Sequence, residues 1–71
     1  NKAYNRIVGS LDHKELKNIP DMVFERELLS AEGILILEHP KEFDFSKHPH
    51  FYEHRKYGHV NFSFFKIAPE I

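Results

Sequence analysis

The most regular apolar pattern lies in the middle of the chain, where Ile34-Leu35-Ile36-Leu37 runs without interruption between Gly33 and Glu38-His39-Pro40. Strands with one face in water alternate apolar and polar residues, whereas strands covered on both faces are apolar throughout. Four residues between a glycine and a proline are too few for a buried helix segment. The run therefore predicts a strand that is buried on both faces.

A helix is predicted just before this strand. Asn18 can accept a hydrogen bond from a free backbone N–H, Pro20 suits a first turn, and Asp21 suits the positive end of the helix dipole. Apolar residues at helical spacing follow on one stripe: Ile19, Met22, Val23 and Leu29. The pattern predicts a helix that runs to about Ser30, with Gly33 placed either to end the helix or to turn the chain out of it.

The last third of the chain predicts a β-hairpin. Two runs, 51–56 and 60–65, flank Tyr57-Gly58, and Val60, Phe62 and Phe64 alternate with Asn61 and Ser63. The predicted fold is therefore α/β, with one helix, a buried strand and then an antiparallel β-hairpin. We assign residues 1–11 to a divergent or disordered N-terminal segment and residues 12–71 to this α-β-β-β part.

Composition narrows the functions that such a chain can have. The 71 residues make one small domain at most, and without cysteine they form neither disulfides nor thiolate metal sites. Ten basic and eleven acidic side chains give a net charge of −1, which argues against nucleic-acid binding by bulk charge but leaves a local basic patch open. No apolar stretch is long enough for a bilayer, so we expect no membrane partner. The absence of cysteine indicates a reducing compartment, so we expect a cytoplasmic location.

Several segments within residues 12–66 carry a resemblance to a known family. The C-terminal part of an RsmD-type methyltransferase, Bacteroidetes-like in detail, is similar to six of them: Ile19-Pro20-Asp21-Met22-Val23-Phe24-Glu25, Leu28-Leu29, Glu32-Gly33-Ile34-Leu35-Ile36-Leu37-Glu38-His39, Asp44-Phe45-Ser46, His48-Pro49-His50-Phe51 and His54-Arg55-Lys56-Tyr57-Gly58-His59-Val60-Asn61-Phe62-Ser63-Phe64-Phe65. That family transfers a methyl group from S-adenosylmethionine to the exocyclic amine of a guanine in small-subunit rRNA. The resemblance implies the end of a Rossmann-like class I methyltransferase sheet, whose last strand inserts antiparallel beside the preceding parallel strand.

One departure from the family limits what the resemblance implies. The family's strand before the helix ends in an Asp-Pro-Pro-Tyr or Asp-Pro-Pro-Phe motif, which holds the target amine and stacks on the flipped base. The positions aligned with it, Val8-Gly9-Ser10-Leu11, match at none of the four residues. The cofactor-binding turn belongs to earlier strands of the family. S-adenosylmethionine and rRNA are thus expected for the full-length family, whereas we predict no catalytic and no cofactor-binding residue here and leave activity open.

Two residues are candidates for a substrate site. In open α/β sheets ligands bind at the carboxyl ends of the strands, where Glu38 and His39 follow the apolar run. The resemblance implies that they form the rim of a substrate site; the alternative is a solvated strand end and a loop residue. The basic run His54-Arg55-Lys56 similarly fits either RNA phosphate or an edge strand that resists unwanted pairing.

The histidines raise the question of a metal site. His48, His50 and His54 are close in sequence, with His39 and His59 nearby. The first two flank Pro49 on a kinked loop, and the resemblance accounts for that segment without a metal, so we predict no metal site. Ser10, Asp12 and His13 are too close in sequence for a nucleophilic triad, whose members the fold brings together.

Two classes of function therefore stay open. The first is the C-terminal fragment of an rRNA guanine-N2 methyltransferase that is inactive alone. The second is a small non-catalytic, self-associating module or the product of a decayed gene. A strand as apolar as residues 34–37 also predicts a homo-oligomer, formed by edge-to-edge strand pairing or by a swapped hairpin.

Overall fold

The structure is a computed structural model that describes residues 3–10 and 18–67. These residues form a small α/β fold with a mixed sheet and one helix. The elements are β1 (Tyr4–Ser10), α1 (Ile19–Glu25), β2 (Leu29–His39), β3 (Phe51–Tyr57) and β4 (Val60–Lys66). The strand order in the sheet is β1-β2-β4-β3.

β1 is a strand that the sequence analysis did not predict. It lies within the segment assigned as divergent or disordered, and it pairs in parallel with β2, so that Ile7 lies beside Leu35 and Ser10 beside Glu38. Parallel strands need a long crossover connection rather than a tight turn. No local hairpin signal therefore marks β1 in the sequence.

The helix ends earlier than predicted, at Glu25 rather than near Ser30. Glu27 adopts a left-handed backbone with φ 53°, and two hydrogen bonds close the helix end, from Leu28 N to Val23 O and from Glu27 N to Phe24 O. This pair of bonds is the Schellman motif, in which the left-handed position is usually glycine. The predicted terminator, Gly33, is instead inside β2.

Gly33 has a different role from the one predicted. A Cβ atom at this position would lie 2.7 Å from the backbone oxygen of Tyr4 and 3.2 Å from that of Asn5. The register of β1 against β2 is irregular at this point, because Tyr4 pairs with Leu29 and Arg6 already with Ile34. The glycine therefore lets the two backbones approach closely where β2 bulges.

The predicted hairpin is confirmed. β3 and β4 pair antiparallel up to Tyr57 and Val60, and Gly58 takes a left-handed φ of 62° at the first position of the two-residue turn. β4 also pairs antiparallel with β2, so the last strand inserts between β2 and β3.

The two faces of the sheet differ in their cover. The covered face carries Leu35, Leu37 and Phe65, each 0% exposed, and α1 adds the buried Val23 to this core. The open face carries Ile34, Ile36, Phe62 and Phe64, which are only half-buried. The strand predicted to be buried on both faces is thus fully covered on one, because the described residues place their helix and their long loop on the same side.

The loop of residues 40–50 forms the second part of this cover. The Phe45 ring meets the Phe65 ring edge-on at 5.5 Å between centroids, and the His50 ring stacks on Phe24 of α1 at 4.1 Å. His48 Nε2 lies 2.9 Å from Asp21 Oδ1. The loop is therefore attached to both the core and the helix.

Replacing Glu27 by glycine should stabilise the chain. The left-handed backbone strains a residue with a Cβ atom, and glycine removes that strain, so Glu27→Gly should raise the free energy of unfolding by about 0.5–1 kcal/mol. Urea unfolding followed by circular dichroism measures the change. Glu25→Gly, at an exposed helical position two residues earlier, is the matched control and should lower stability by about 1 kcal/mol. Equal destabilisation by both changes would contradict the Schellman assignment.

Candidate functional site

The structure separates the two residues that the sequence analysis placed at a substrate rim. Glu38 and His39 are consecutive in β2, so their side chains point to opposite faces of the sheet. Glu38 is half-buried and pairs with Ser10 and Phe62, whereas His39 is buried, 4% exposed, on the covered face. The end of β2 thus lies beside the end of β1, but a single rim does not contain both side chains. Their contact with a substrate stays a prediction.

Both ring nitrogens of His39 are in hydrogen bonds. Nδ1 lies 2.8 Å from the backbone oxygen of Pro40, and Nε2 lies 2.7 Å from Ser63 Oγ. A backbone oxygen only accepts, so Nδ1 carries the proton and donates it. In the neutral ring Nε2 then accepts from the Ser63 hydroxyl. A histidine in this arrangement can take a proton from a hydroxyl. Ser63 itself is only 1% exposed, so its hydroxyl is closed to solvent.

The neighbouring position on β4 is also polar and buried. Asn61 is 4% exposed, and its Oδ1 accepts a hydrogen bond of 3.0 Å from His54 Nε2 on β3. Its Nδ2 is buried and makes no hydrogen bond within the part of the chain that the structure describes. The His54 and His39 rings lie 6.0 Å apart on either side of β4. The covered face therefore ends in a row of four polar side chains.

A cavity of about 270 Å³ adjoins this row. Asn61, Ser63 and His54 form its floor on the sheet, and the walls come from the loop of residues 40–50 and from Phe51 at the start of β3. The wall residues are both aromatic and charged: Lys41, Phe43, Asp44, Phe45, Ser46 and Phe51. Its volume is close to the lower end of the range for small-molecule sites.

One carboxylate on the wall has a shifted pKa. The Ser46 hydroxyl and then the Ser46 backbone N–H, which lies 2.9 Å from Oδ1, hold the pKa of Asp44 below its ordinary value. Hydrogen bonds to the charged form of a carboxyl group favour that form. Asp44 is therefore a carboxylate at neutral pH and can accept a hydrogen bond from a ligand.

Three further histidines of the described residues have separate partners. His48 is bonded to Asp21, His50 is stacked on Phe24 and its Nδ1 lies 3.1 Å from the backbone oxygen of Lys66, and His54 is bonded to Asn61. Residues 3–10 and 18–67 contain no group of three or more His, Cys, Asp or Glu side chains that could hold a metal ion.

The basic run of β3 does not form one patch. His54 reaches the polar row on the covered face, whereas Arg55 is bonded to Glu53 and lies over the Phe64 ring of the open face. Strand alternation divides the three residues between the two faces. A joint phosphate site is therefore not formed by this run in the structure.

The polar site on β4 was not predicted from the sequence. The alternation of β4 placed Asn61 and Ser63 opposite its apolar residues, but nothing in that pattern put them under a loop. Phe65 could have indicated this site, because it is apolar and lies on the same face of the strand as Asn61 and Ser63, at two-residue spacing. Together with the aromatic residues Phe43 and Phe45 in the loop, it marks the face that the loop covers.

Comparisons with known proteins add no identification. No protein-family model matches the chain, and neither the curated proteins nor the solved structures include a match. Among the described residues there is also no helix with the length and apolar character needed to cross a membrane. The fold and the geometry of the covered face are therefore the grounds for assigning a function.

Removing the Ser63 hydroxyl should lower the stability of the fold. Ser63→Ala leaves the buried Nε2 of His39 without its partner, so the free energy of unfolding should fall by about 1–3 kcal/mol in urea. Ser30→Ala removes a hydrogen bond of 2.8 Å to Asn5 that is exposed, and this matched control should change stability by less than about 0.5 kcal/mol. Similar effects of the two changes would show that the bond from Ser63 to His39 is not formed in the buried site.

Proposed function

We propose that this chain is the C-terminal part of an RsmD-type rRNA guanine-N2 methyltransferase that uses S-adenosylmethionine. In this proposal the chain completes the sheet of the methyltransferase domain and borders the substrate site. It does not supply the transfer chemistry, and it is inactive alone.

The observation that carries the proposal is the position of β4. Consecutive strands usually extend a sheet at one edge. A hairpin whose second strand lies between its first strand and a parallel pair is therefore uncommon. Here β4 lies between β2 and β3, and β2 is parallel to β1. That order is the closing order of the class I methyltransferase sheet. The helix α1 also comes between the two parallel strands along the chain, as a βαβ crossover requires.

The positions at the end of β1 support the inactive part of the proposal. Val8, Gly9 and Ser10 occupy the strand end beside Glu38, where the family's Asp-Pro-Pro-aromatic motif begins, and Leu11 lies outside the described residues. Neither valine nor glycine has a side-chain acceptor for an amine, and a serine hydroxyl lacks the charge of the aspartate. The substrate side of β2 is thus in place in this proposal, without its catalytic neighbour.

A chimera tests this proposal directly. Residues 18–67 should replace the corresponding helix, strand and hairpin of an active RsmD-type enzyme that keeps its own cofactor strands and motif. We expect the chimera to bind S-adenosylmethionine and to methylate a guanine of small-subunit rRNA within about tenfold of the parent rate, because the packing surfaces match. The 71-residue chain alone should do neither in calorimetric titration and methyl-transfer assays.

The matched control is the same chimera with Leu37→Asp, which places a charge in the core and should abolish folding and activity. A chimera that folds, as judged by circular dichroism and cooperative unfolding, yet fails to bind the cofactor would contradict the proposal. So would tight binding of S-adenosylmethionine by the isolated chain.

A self-associating module is the second candidate, and the open face favours it. Val8 is 64% exposed on β1, next to the half-buried Ile34, Ile36, Phe62 and Phe64. β1 and β3 are also the end strands of the sheet within the described residues. Apolar faces and free strand edges of this kind are sites of association.

Light scattering after size-exclusion chromatography measures this association. We expect the isolated chain to form dimers or larger species at high concentration and Ile36→Lys to shift them toward monomer, because the lysine would place a charge in the buried contact. Ala31→Lys adds the same charge at an exposed position and should leave the association unchanged. A stable monomer of the original chain at high concentration would exclude the module.

A further inference from the structure

The two end strands of the sheet differ in the protection of their outer edges. β3 has a register shift between Phe51 and Glu53, and its exposed residues include the cations Arg55 and Lys56. Bulges and charged side chains of this kind prevent an edge strand from pairing with another chain. β1 has the sequence Tyr-Asn-Arg-Ile-Val-Gly-Ser, with one charge and no proline, and the bulge in its ladder belongs to β2. Of the two end strands of the described sheet, β1 therefore has the less protected edge.

One hydrogen bond shows which backbone groups lie on this edge. Tyr4 N donates to Leu28 O at 2.7 Å, on the β2 side of the strand. Successive residues of a strand direct their N–H and C=O groups alternately to its two sides. The backbone groups of Asn5, Ile7 and Gly9 therefore point away from β2, toward the free edge.

A second copy of β1 complements this pattern. When two β1 strands run antiparallel about a two-fold axis at Ile7, Ile7 opposes its own copy and Asn5 opposes Gly9. These are hydrogen-bonded pairs, whose members exchange both N–H···O bonds, so every outward group of residues 5, 7 and 9 has a partner. Arg6 opposes Val8 in the intervening pair, which is not hydrogen-bonded. The one charge of β1 thus meets an apolar side chain, whereas two like charges directly opposite each other would be destabilising.

The side chains of β1 fit the same register. Val8 is 64% exposed on the open face, beside Ile36, and the aliphatic stem of Arg6 from the second copy would cover it. Ile7 packs against the core cluster on the covered face and would meet the second Ile7 there. The two arginines stand diagonally, where their guanidinium groups can diverge into water. The edge is therefore self-complementary, as a closed two-fold contact requires.

We infer that the outer edge of β1 binds a second copy of this chain, with the two strands antiparallel about Ile7. Two four-stranded sheets then form one continuous eight-stranded sheet. This inference names the contact of the self-associating module, and it rests on that second candidate function. It selects the edge of β1 over stacking of the open faces and over a swapped hairpin.

The size of this contact sets its strength. A strand of seven residues is about 23 Å long, so the interface lies at the low end of the sizes of specific complexes. The dissociation constant should be on the order of 10–100 μM, and the dimer should dissociate on dilution. Measurements therefore use chain concentrations above this range.

Disulfide capture tests the pairing, because the chain contains no cysteine of its own. Arg6→Cys and Val8→Cys chains, mixed under mild oxidation, should form a mixed disulfide, since directly opposed residues of such a pair have Cα atoms about 4.5 Å apart. Either variant alone should crosslink at least about tenfold more slowly, because its two copies stand diagonally at about 7–8 Å, beyond the reach of an unstrained disulfide. Mass spectrometry distinguishes the three dimers.

Tyr57→Cys is the matched control at the other end strand. Tyr57 is 56% exposed on β3, so its thiol would be accessible without belonging to the proposed contact. It should crosslink with Arg6→Cys or Val8→Cys no faster than either of these variants does alone. Circular dichroism and cooperative unfolding check that each variant is folded.

A second pair of variants tests the backbone hydrogen bonds. Asn5→Pro removes an outward N–H and keeps the ladder to β2, whereas Asn5→Ala keeps that N–H. Both variants lose the side-chain bond between Ser30 and Asn5. Asn5→Pro should bind its own copy about tenfold or more weakly than Asn5→Ala in analytical ultracentrifugation, because each dimer loses a hydrogen bond at both ends of the pairing.

Two results would overturn the inference: equal rates of disulfide formation in the mixture and in the separate variants, or equal self-association of Asn5→Pro and Asn5→Ala. If the original chain still associates in light scattering, either result rejects the edge of β1 alone and leaves the self-associating module in place. A stable monomer of the original chain rejects both. None of these experiments involves methyl transfer, so the chimera decides the methyltransferase proposal separately.

Discussion

The core and the buried polar row of the covered face both depend on the pairing of β2 with β4. In this pairing Leu37 lies opposite Ser63 and Leu35 lies opposite Phe65. Directly opposed residues of antiparallel strands share a face. Leu35 and Leu37 are fully buried under α1 and the loop of residues 40–50. The pairing therefore forces Ser63, and with it Asn61, onto the same buried face. A shift by one residue would place Phe62 and Phe64 there instead and expose Phe65.

This register places polar groups in the interior, and the structure compensates for most of them. The Ser63 hydroxyl and the Pro40 backbone oxygen satisfy both nitrogens of His39, and His54 satisfies one end of the Asn61 amide. Buried polar groups cost little when paired and much when not. Within residues 3–10 and 18–67, Nδ2 of Asn61 is the one buried side-chain atom of this cluster without a hydrogen bond, and Asn61 lines a cavity. The covered face, rather than the basic run of β3, is therefore the candidate site.

The sequence predicted the parts of the fold that local pattern controls. The hairpin turn at Gly58 and the strand of residues 34–37 follow from glycine positions and apolar runs. The predicted end of α1 was wrong because the left-handed position is occupied by Glu27, a residue type that does not indicate a helix end. β1 was missed because its partner is distant in sequence. The polar row was missed because the side chains of residues 61 and 63 appear solvent-exposed until the loop of residues 40–50 is placed over them.

The most direct test of this account is the register of β4, read from nuclear Overhauser effects of the Phe45 ring. The structure places this ring 5.3 Å from the His39 ring and 5.5 Å from the Phe65 ring, centroid to centroid. We therefore expect strong cross-peaks from Phe45 to His39 and Phe65. Cross-peaks from Phe45 to Phe62 or Phe64 instead would show that the apolar side of β4 faces the loop, and the polar row with its cavity would not exist.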